Sequence, residues 1–124
     1  MNFNSIMIGT EDVSRLRDFY SKLFGDPGFD EGGYSGWKIG DGFLTIGPHS
    51  EVHGKNAAPG RLIWNIETAD VAGDFARLKA AGAIVVRDPY EMDEAPGYPI
   101  ATLADPDDNY FQLMTPFDPE SMGS

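Results

Sequence analysis

The chain has 124 residues, 41% of them hydrophobic and 23% charged, which predicts one globular soluble domain and excludes a fibrous or disordered chain. Its 20 acidic and 9 basic side chains leave a formal charge of −11, so phosphate backbones and anionic lipid surfaces are repelled and neither nucleic acid nor membrane is expected as a partner. The absence of cysteine removes disulfides, thiolate nucleophiles and thiolate metal ligands.

No apolar run approaches the roughly 18 residues of a membrane span. The first residues carry no basic and apolar leader, and a cytoplasmic location is the expectation.

The first strand is expected over Asn4 to Gly9. Ser5 and Met7 alternate with Ile6 and Ile8, the period of a half-buried strand, with the two isoleucines turned toward a helix. That helix is predicted from about Asp12 to Phe24, with Val13, Leu16, Tyr20 and Leu23 at helical spacing and Gly25 closing it. Short aromatic strands follow around Phe29, over Tyr34 to Ile39 and over Phe43 to Ile46, and Gly40-Asp41-Gly42 supplies a tight turn between the last two. Alternation puts Leu44 and Ile46 on the helix side and Phe43 and Thr45 on the other.

Gly47 to Gly60 contains His49, Ser50, His53 and Asn56 with no apolar period and reads as a loop. A strand is then expected over Arg61 to Glu67, a helix from about Asp70 with Val71, Phe75 and Leu78 inward and Gly82 as its cap, and a strand over Ile84 to Val86. An acidic loop with Glu91, Asp93, Glu94, Pro96, Gly97 and Tyr98 precedes strand Ile100 to Ala104. The turn Asp105-Pro106-Asp107-Asp108-Asn109 leads into Tyr110 to Met114.

The two halves share one plan. Thr10-Glu11-Asp12-Val13 returns as Thr68-Ala69-Asp70-Val71, 58 residues later, each time between a strand and an amphipathic helix. Two copies argue for a duplicated supersecondary unit and against a solenoid. The expected layout is module one over about 3–47, a loop over 48–60, module two over about 61–116 and a polar tail over 117–124. A sheet covered by its helix on one face needs a sister module or a second chain on the other.

Several stretches together resemble the vicinal-oxygen-chelate superfamily, which includes glyoxalase I, extradiol dioxygenases and the fosfomycin- and bleomycin-resistance proteins. They are Asn4 to Asp12 with Phe19-Tyr20 and Leu23-Phe24-Gly25, Trp64-Asn65-Ile66 with Asp70-Val71 and Leu78 to Gly82, and Leu103 to Leu113 with its Asp-Pro-Asp-Asp-Asn turn. The resemblance implies an α+β fold of two βαβββ modules, curled mixed sheets around a cavity with the helices outside, and a homodimer. In metal-dependent members it implies His, Glu or Gln ligands at positions that fall here on Ser5, Thr45, Ile63 and Gln112. Ile63 has no donor atom, and Ser5 and Thr45 offer neutral hydroxyls, which divalent ions take poorly beside imidazole and carboxylate. No metal and no other cofactor is expected.

Strand parity gathers Ser5, Met7, Phe43, Thr45, Arg61, Ile63, Asn65, Tyr110, Gln112 and Met114 on the faces away from the helices. Apolar and aromatic groups interleaved with a few polar ones make up a small-molecule pocket. Arg61 suits an anionic group, and Tyr110 can donate a hydrogen bond or stack. The same residues also suit plain packing between modules or subunits. His49 and His53 have the spacing of helical ligands but sit in a loop, where an exposed pair is the simpler reading and an acid–base role the other. The acidic loop reads as a solvated cluster or as an attractor of cationic compounds.

The sequence therefore predicts a metal-independent binding protein, leaning away from catalysis, that sequesters a hydrophobic or aromatic molecule as bleomycin-resistance proteins do. The alternatives are a glyoxalase-like lyase, isomerase or dioxygenase with atypical ligands such as Gln112 and a loop histidine, and a module whose exposed face serves only dimerisation.

Overall fold

The computed structural model describes residues 1–116, so the tail expected over 117–124 lies outside the described residues. The chain divides into two compact units, one ending at Asn56 and the other beginning at Ala57. Each is a βαβββ module with a four-stranded mixed sheet, and neither sheet closes into a barrel. No helix among the described residues is long and apolar enough to cross a membrane.

In the first unit, β1 (Ile6–Thr10) leads into α1 (Val13–Phe24), then β2 (Phe29–Glu31), β3 (Tyr34–Ile39) and β4 (Gly42–Pro48). The sheet order is β1-β4-β3-β2, with β1 parallel to β4 and the other pairs antiparallel. The helix starts where it does because Asp12 caps it: its carboxylate accepts the Arg15 N–H at 3.1 Å, while the Thr10 hydroxyl accepts the Asp12 N–H at 3.1 Å, satisfying donors a helix start otherwise leaves open. It stops at Gly25, whose φ of 83° suits glycine and whose N–H reaches the Ser21 carbonyl.

α1 packs on β3 and β4. Leu16, Phe19, Tyr20, Trp37, Leu44 and Ile46 are buried there, each contributing on the order of 1.5–3 kcal/mol by leaving water. The Trp37 indole N–H donates to the Gly25 carbonyl at 2.8 Å, so the helix end and the sheet fix one another. Of the expected inward set, Leu16 and Tyr20 are fully buried, whereas Val13 and Leu23 are only half-buried. Phe19 joins the buried set and meets Tyr20 edge-on with ring centres 5.1 Å apart.

In the second unit, β5 (Ile63–Glu67), α2 (Val71–Ala80), β6 (Ile84–Tyr90), β7 (Ile100–Ala104) and β8 (Tyr110–Met114) repeat the plan, in sheet order β5-β8-β7-β6. The cap is repeated too: the Asp70 carboxylate accepts the Gly73 N–H at 2.9 Å and the Thr68 hydroxyl accepts the Asp70 N–H at 3.1 Å. At the other end the N–H of Ala83 reaches the Leu78 carbonyl at 3.0 Å, and that of Gly82, at φ 106°, reaches Lys79 at 3.1 Å. This is a Schellman motif with glycine in the left-handed position. α2 packs on β6, β7 and β8 over Leu103, Phe111 and Leu113, with Val71, Phe75 and Leu78 inward as the spacing predicts.

Four boundaries differ from the sequence expectation, the first being β4, which runs from Gly42 to Pro48 and so takes Gly47 and Pro48 from the expected loop. β1 begins at Ile6, so Ser5 precedes the strand. Arg61 closes a single 3-10 turn, Pro59–Arg61, and β5 begins only at Ile63; the proline at its start favours that turn over a strand. β6 runs on past Val86 to Tyr90 through two register shifts, which lets Pro89 sit in an edge strand.

Candidate ligand-binding faces

In the first unit the sheet face turned from α1 is set by register. Met7 pairs with Thr45, Thr45 with Gly36, and Phe43 with Lys38, so Met7, Thr45, Gly36, Phe43 and Lys38 share that face. Met7 is half exposed, and Phe43 is 39% exposed although it belongs to a strand. Its ring lies across Gly36, where a Cβ would stand 2.9 Å from Cε1 and Cζ. The Tyr34 ring covers Gly47 in the same way. Two glycines thus let two aromatic rings lie flat on this face. Ser5, ahead of β1, is half-buried.

In the second unit register builds a grid three rows deep across all four strands. The first row is Ile63, Tyr110, Ala104 and Ile84, the second Asn65, Gln112, Thr102 and Arg87, the third Glu67, Met114, Ile100 and Tyr90. All face away from α2, whereas Trp64, Ile66, Phe111, Leu113, Leu103 and Ala101 face the other way. The outer rows are mainly apolar and the central row is wholly polar. Within it the Gln112 side-chain N–H donates to the Thr102 hydroxyl at 3.3 Å.

The third row runs into a cavity of about 290 Å³, lined by Met92, Glu94, Pro96, Tyr98, Ile100 and Met114 among others. Its walls are mainly apolar, with Glu94 and Thr115 the polar residues among them. The loop that closes it is held by its own bonds: Ala95 N–H to the Met92 carbonyl at 3.0 Å, Tyr98 N–H to Ala95 at 3.3 Å, and Gly97 N–H to the Glu91 carboxylate. Its size is just below the range usual for ligand pockets, about 300–1,000 Å³.

Of the residues singled out by sequence, the structure brings Met7 beside Thr45, Asn65 beside Gln112 and Ile63 beside Tyr110, and puts Met114 at the cavity. Arg61 and Ser5 lie off the strands, so parity does not direct them. Thr102, Arg87, Tyr90, Ile100, Ala104, Ile84 and Glu67 complete the grid and were not among the residues singled out by sequence. The signal for Arg87 and Tyr90 was hidden by the two register shifts in β6, which break the period of two on which parity depends. Met92 and Tyr98, each 43% exposed, were visible as large apolar residues within an acidic loop.

The loop histidines belong to the first unit. Gly54 donates to Glu11 Oε1 at 2.7 Å, and His53 Nδ1 stands 3.6 Å from Glu11 Oε2. His49 Nδ1 accepts the Glu51 N–H at 3.1 Å, and its Cβ would come 3.0 Å from a Cβ placed on Gly9. The loop is thereby pinned over the end of β1, with His49 engaged in its own turn and not in a helix.

A divalent metal fits these residues poorly. Among the described residues no three His, Asp or Glu side chains are grouped to hold an ion. Of the four positions that the superfamily resemblance assigns to metal ligands, Ile63 has no donor atom, Ser5 and Thr45 have only neutral hydroxyls, and Gln112, whose side-chain N–H goes to Thr102, offers a single amide oxygen.

No curated protein matches the chain significantly. Among solved structures, a glyoxalase/bleomycin resistance protein/dioxygenase family enzyme from Burkholderia phytofirmans PsJN is 22% identical, with a TM-score of 0.73 over 90% of this chain and 96% of that one. A glyoxalase-related enzyme from Fulvimarina pelagi is 20% identical, with a TM-score of 0.76 over 93% and 88%. TnmS3, an antibiotic binding protein from Streptomyces sp. CB03234, is 25% identical, with a TM-score of 0.72 over 94% and 97%. The model of the glyoxalase-like domain matches residues 5–114, nearly the whole of both βαβββ units, and the chain accordingly belongs to the glyoxalase-like family of the vicinal-oxygen-chelate superfamily.

Proposed function

We propose that this protein binds a small hydrophobic or aromatic molecule without a metal and sequesters it. The observation that carries the reading is the apolar cavity of about 290 Å³ running into the sheet face at Ile100 and Met114. There apolar rows flank a line of amide and hydroxyl groups, the mixture that holds a ligand by burial and orients it by a few polar contacts. The likeness to an antibiotic binding protein supports the class. On this reading Ser5, Met7, Phe43, Thr45, Arg61, Ile63, Asn65, Tyr110, Gln112 and Met114 contribute to binding. The protein works in the cytoplasm as a homodimer, with neither nucleic acid nor membrane as partner.

The test is thermal unfolding in the presence of a broad panel of aromatic compounds, aromatic antibiotics included. A true ligand at about 100 times its Kd stabilises by about 2.7 kcal/mol, a plainly visible rise in Tm, and Met114→Ala should weaken that response. A panel in which nothing shifts Tm would sink the reading.

A further inference from the structure

The polar row of the second sheet ends on a cation. Arg87, Thr102, Gln112 and Asn65 stand in register across β6, β7, β8 and β5. The Arg87 guanidinium lies over the Tyr90 ring, its Cζ 3.4 Å from the ring centre. Residues three apart in a regular strand face opposite ways; the register shifts on either side of Arg87 bring these two onto one face. Stacking uses the face of the guanidinium and leaves its N–H edge, the fork that matches a carboxylate. Among the described residues no carboxylate pairs with Arg87, in a chain with 20 acids to 9 bases.

The row adjoins the cavity. Tyr90 pairs with Ile100 and Ile100 with Met114, and the latter two line the cavity. Two residues further along β7 and β8, about 6.6–6.8 Å, stand Thr102 and Gln112. A ring lodged against Ile100, Met114 and Tyr98 would therefore hold a substituent of that reach against the polar row.

We propose that the row is the polar half of the ligand site and that Arg87 anchors a carboxylate, so that the ligand class is an aromatic carboxylic acid. The inference rests on the small-molecule reading above and adds the charge and reach of the ligand. The net charge of −11 does not oppose it decisively, because exposed charges beyond about 8 Å are largely screened at physiological salt, whereas the guanidinium fork acts at contact.

The experiment is calorimetric titration with matched pairs, 1-naphthylacetate and 2-naphthoate against their primary amides. It uses the full chain, Arg87→Gln, Arg87→Lys and the control Lys79→Gln, each checked for folding by its melting curve. The unaltered chain should bind the acids about tenfold or more tightly than the amides. Arg87→Gln should bind both members alike, Arg87→Lys should keep part of the preference, and Lys79→Gln, the same charge lost from the outer helix, should keep all of it. Acids and amides binding the unaltered chain equally, or a preference that survives in Arg87→Gln, would overturn the inference while leaving a small-molecule protein. Failure of both members, with an aromatic panel that also shifts nothing, would overturn both.

Discussion

Gln112 on β8 donates its side-chain N–H to the Thr102 hydroxyl on β7 at 3.3 Å, with Thr102 only 6% exposed. The bond ties two central strands on the face that lacks a helix. Removing one partner leaves the other stranded, while removing both together is nearly neutral. Gln112→Leu should cost about 1–2 kcal/mol, and the double change Gln112→Leu/Thr102→Val less than the two single costs added, with a coupling of about 0.5–1.5 kcal/mol. Urea unfolding of the four proteins measures this, and strictly additive costs would show the bond contributes nothing.

The Thr-x-Asp repeat makes a second prediction. Asp12 and Asp70 cap their helices through bonds of 3.1 and 2.9 Å to the third residue onward. Each Asp→Ala should cost about 1 kcal/mol, and Asn in either place much less. The caps share no partner in their bonding, so the double variant should lose the sum within about 0.5 kcal/mol. Chemical denaturation curves decide it.

Asp105 is fully buried and accepts the Asp107 N–H at 2.9 Å, the Asn109 N–H at 3.0 Å and the Asn109 side-chain amide at 3.0 Å. It organises the turn before β8, where Asp108 is held at φ 64°. Asp105→Ala would orphan the buried Asp107 N–H and the half-buried Asn109 donors and should cost about 2–4 kcal/mol, enough to lower Tm by many degrees. Asp105→Asn keeps an acceptor and should retain more than half of that stability.

Gly36 is a further weak point. A Cβ there meets the Phe43 ring at 2.9 Å, so Gly36→Ala must push the ring off the sheet and should destabilise by about 1–3 kcal/mol. Adding Phe43→Leu, which removes the obstruction, should recover part of the loss. If Gly36→Ala alone melts like the unaltered chain, the ring is not seated on the glycine.

These cases show what was legible in the sequence. The repeat at Thr10 and Thr68 forecast two modules because capping is local chemistry, settled within three residues. Alternation put Leu44 and Ile46 inward and Met7 outward because an unbroken strand preserves parity. It failed at Arg61, where Pro59 opens a 3-10 turn, and did not reach Arg87, which lies past the expected strand end at Val86 and between two register shifts. Met92 and Tyr98 had no period to follow, since a cavity closed by a loop is made by tertiary geometry. The grid face was thus half readable: β5 and β8 from parity, β6 only from structure.

The donor set leads to the last prediction. If Ser5, Thr45, Ile63 and Gln112 occupy the places where relatives hold a metal, one neutral amide oxygen and two hydroxyls must do the work of imidazoles and carboxylates. Hard and borderline divalent ions gain little from neutral hydroxyls in exchange for water. Untagged protein incubated with nickel, zinc, iron or manganese and then desalted should carry well under one equivalent by elemental analysis. Its Tm should move by less than a degree with or without a chelator, since an ion bound only to the folded state would raise it. Stoichiometric, chelator-removable metal in the unaltered chain would overturn this, pointing to an ion held through the Gln112 Oε1 with atypical partners, and a glyoxalase-type reaction would become the reading to pursue.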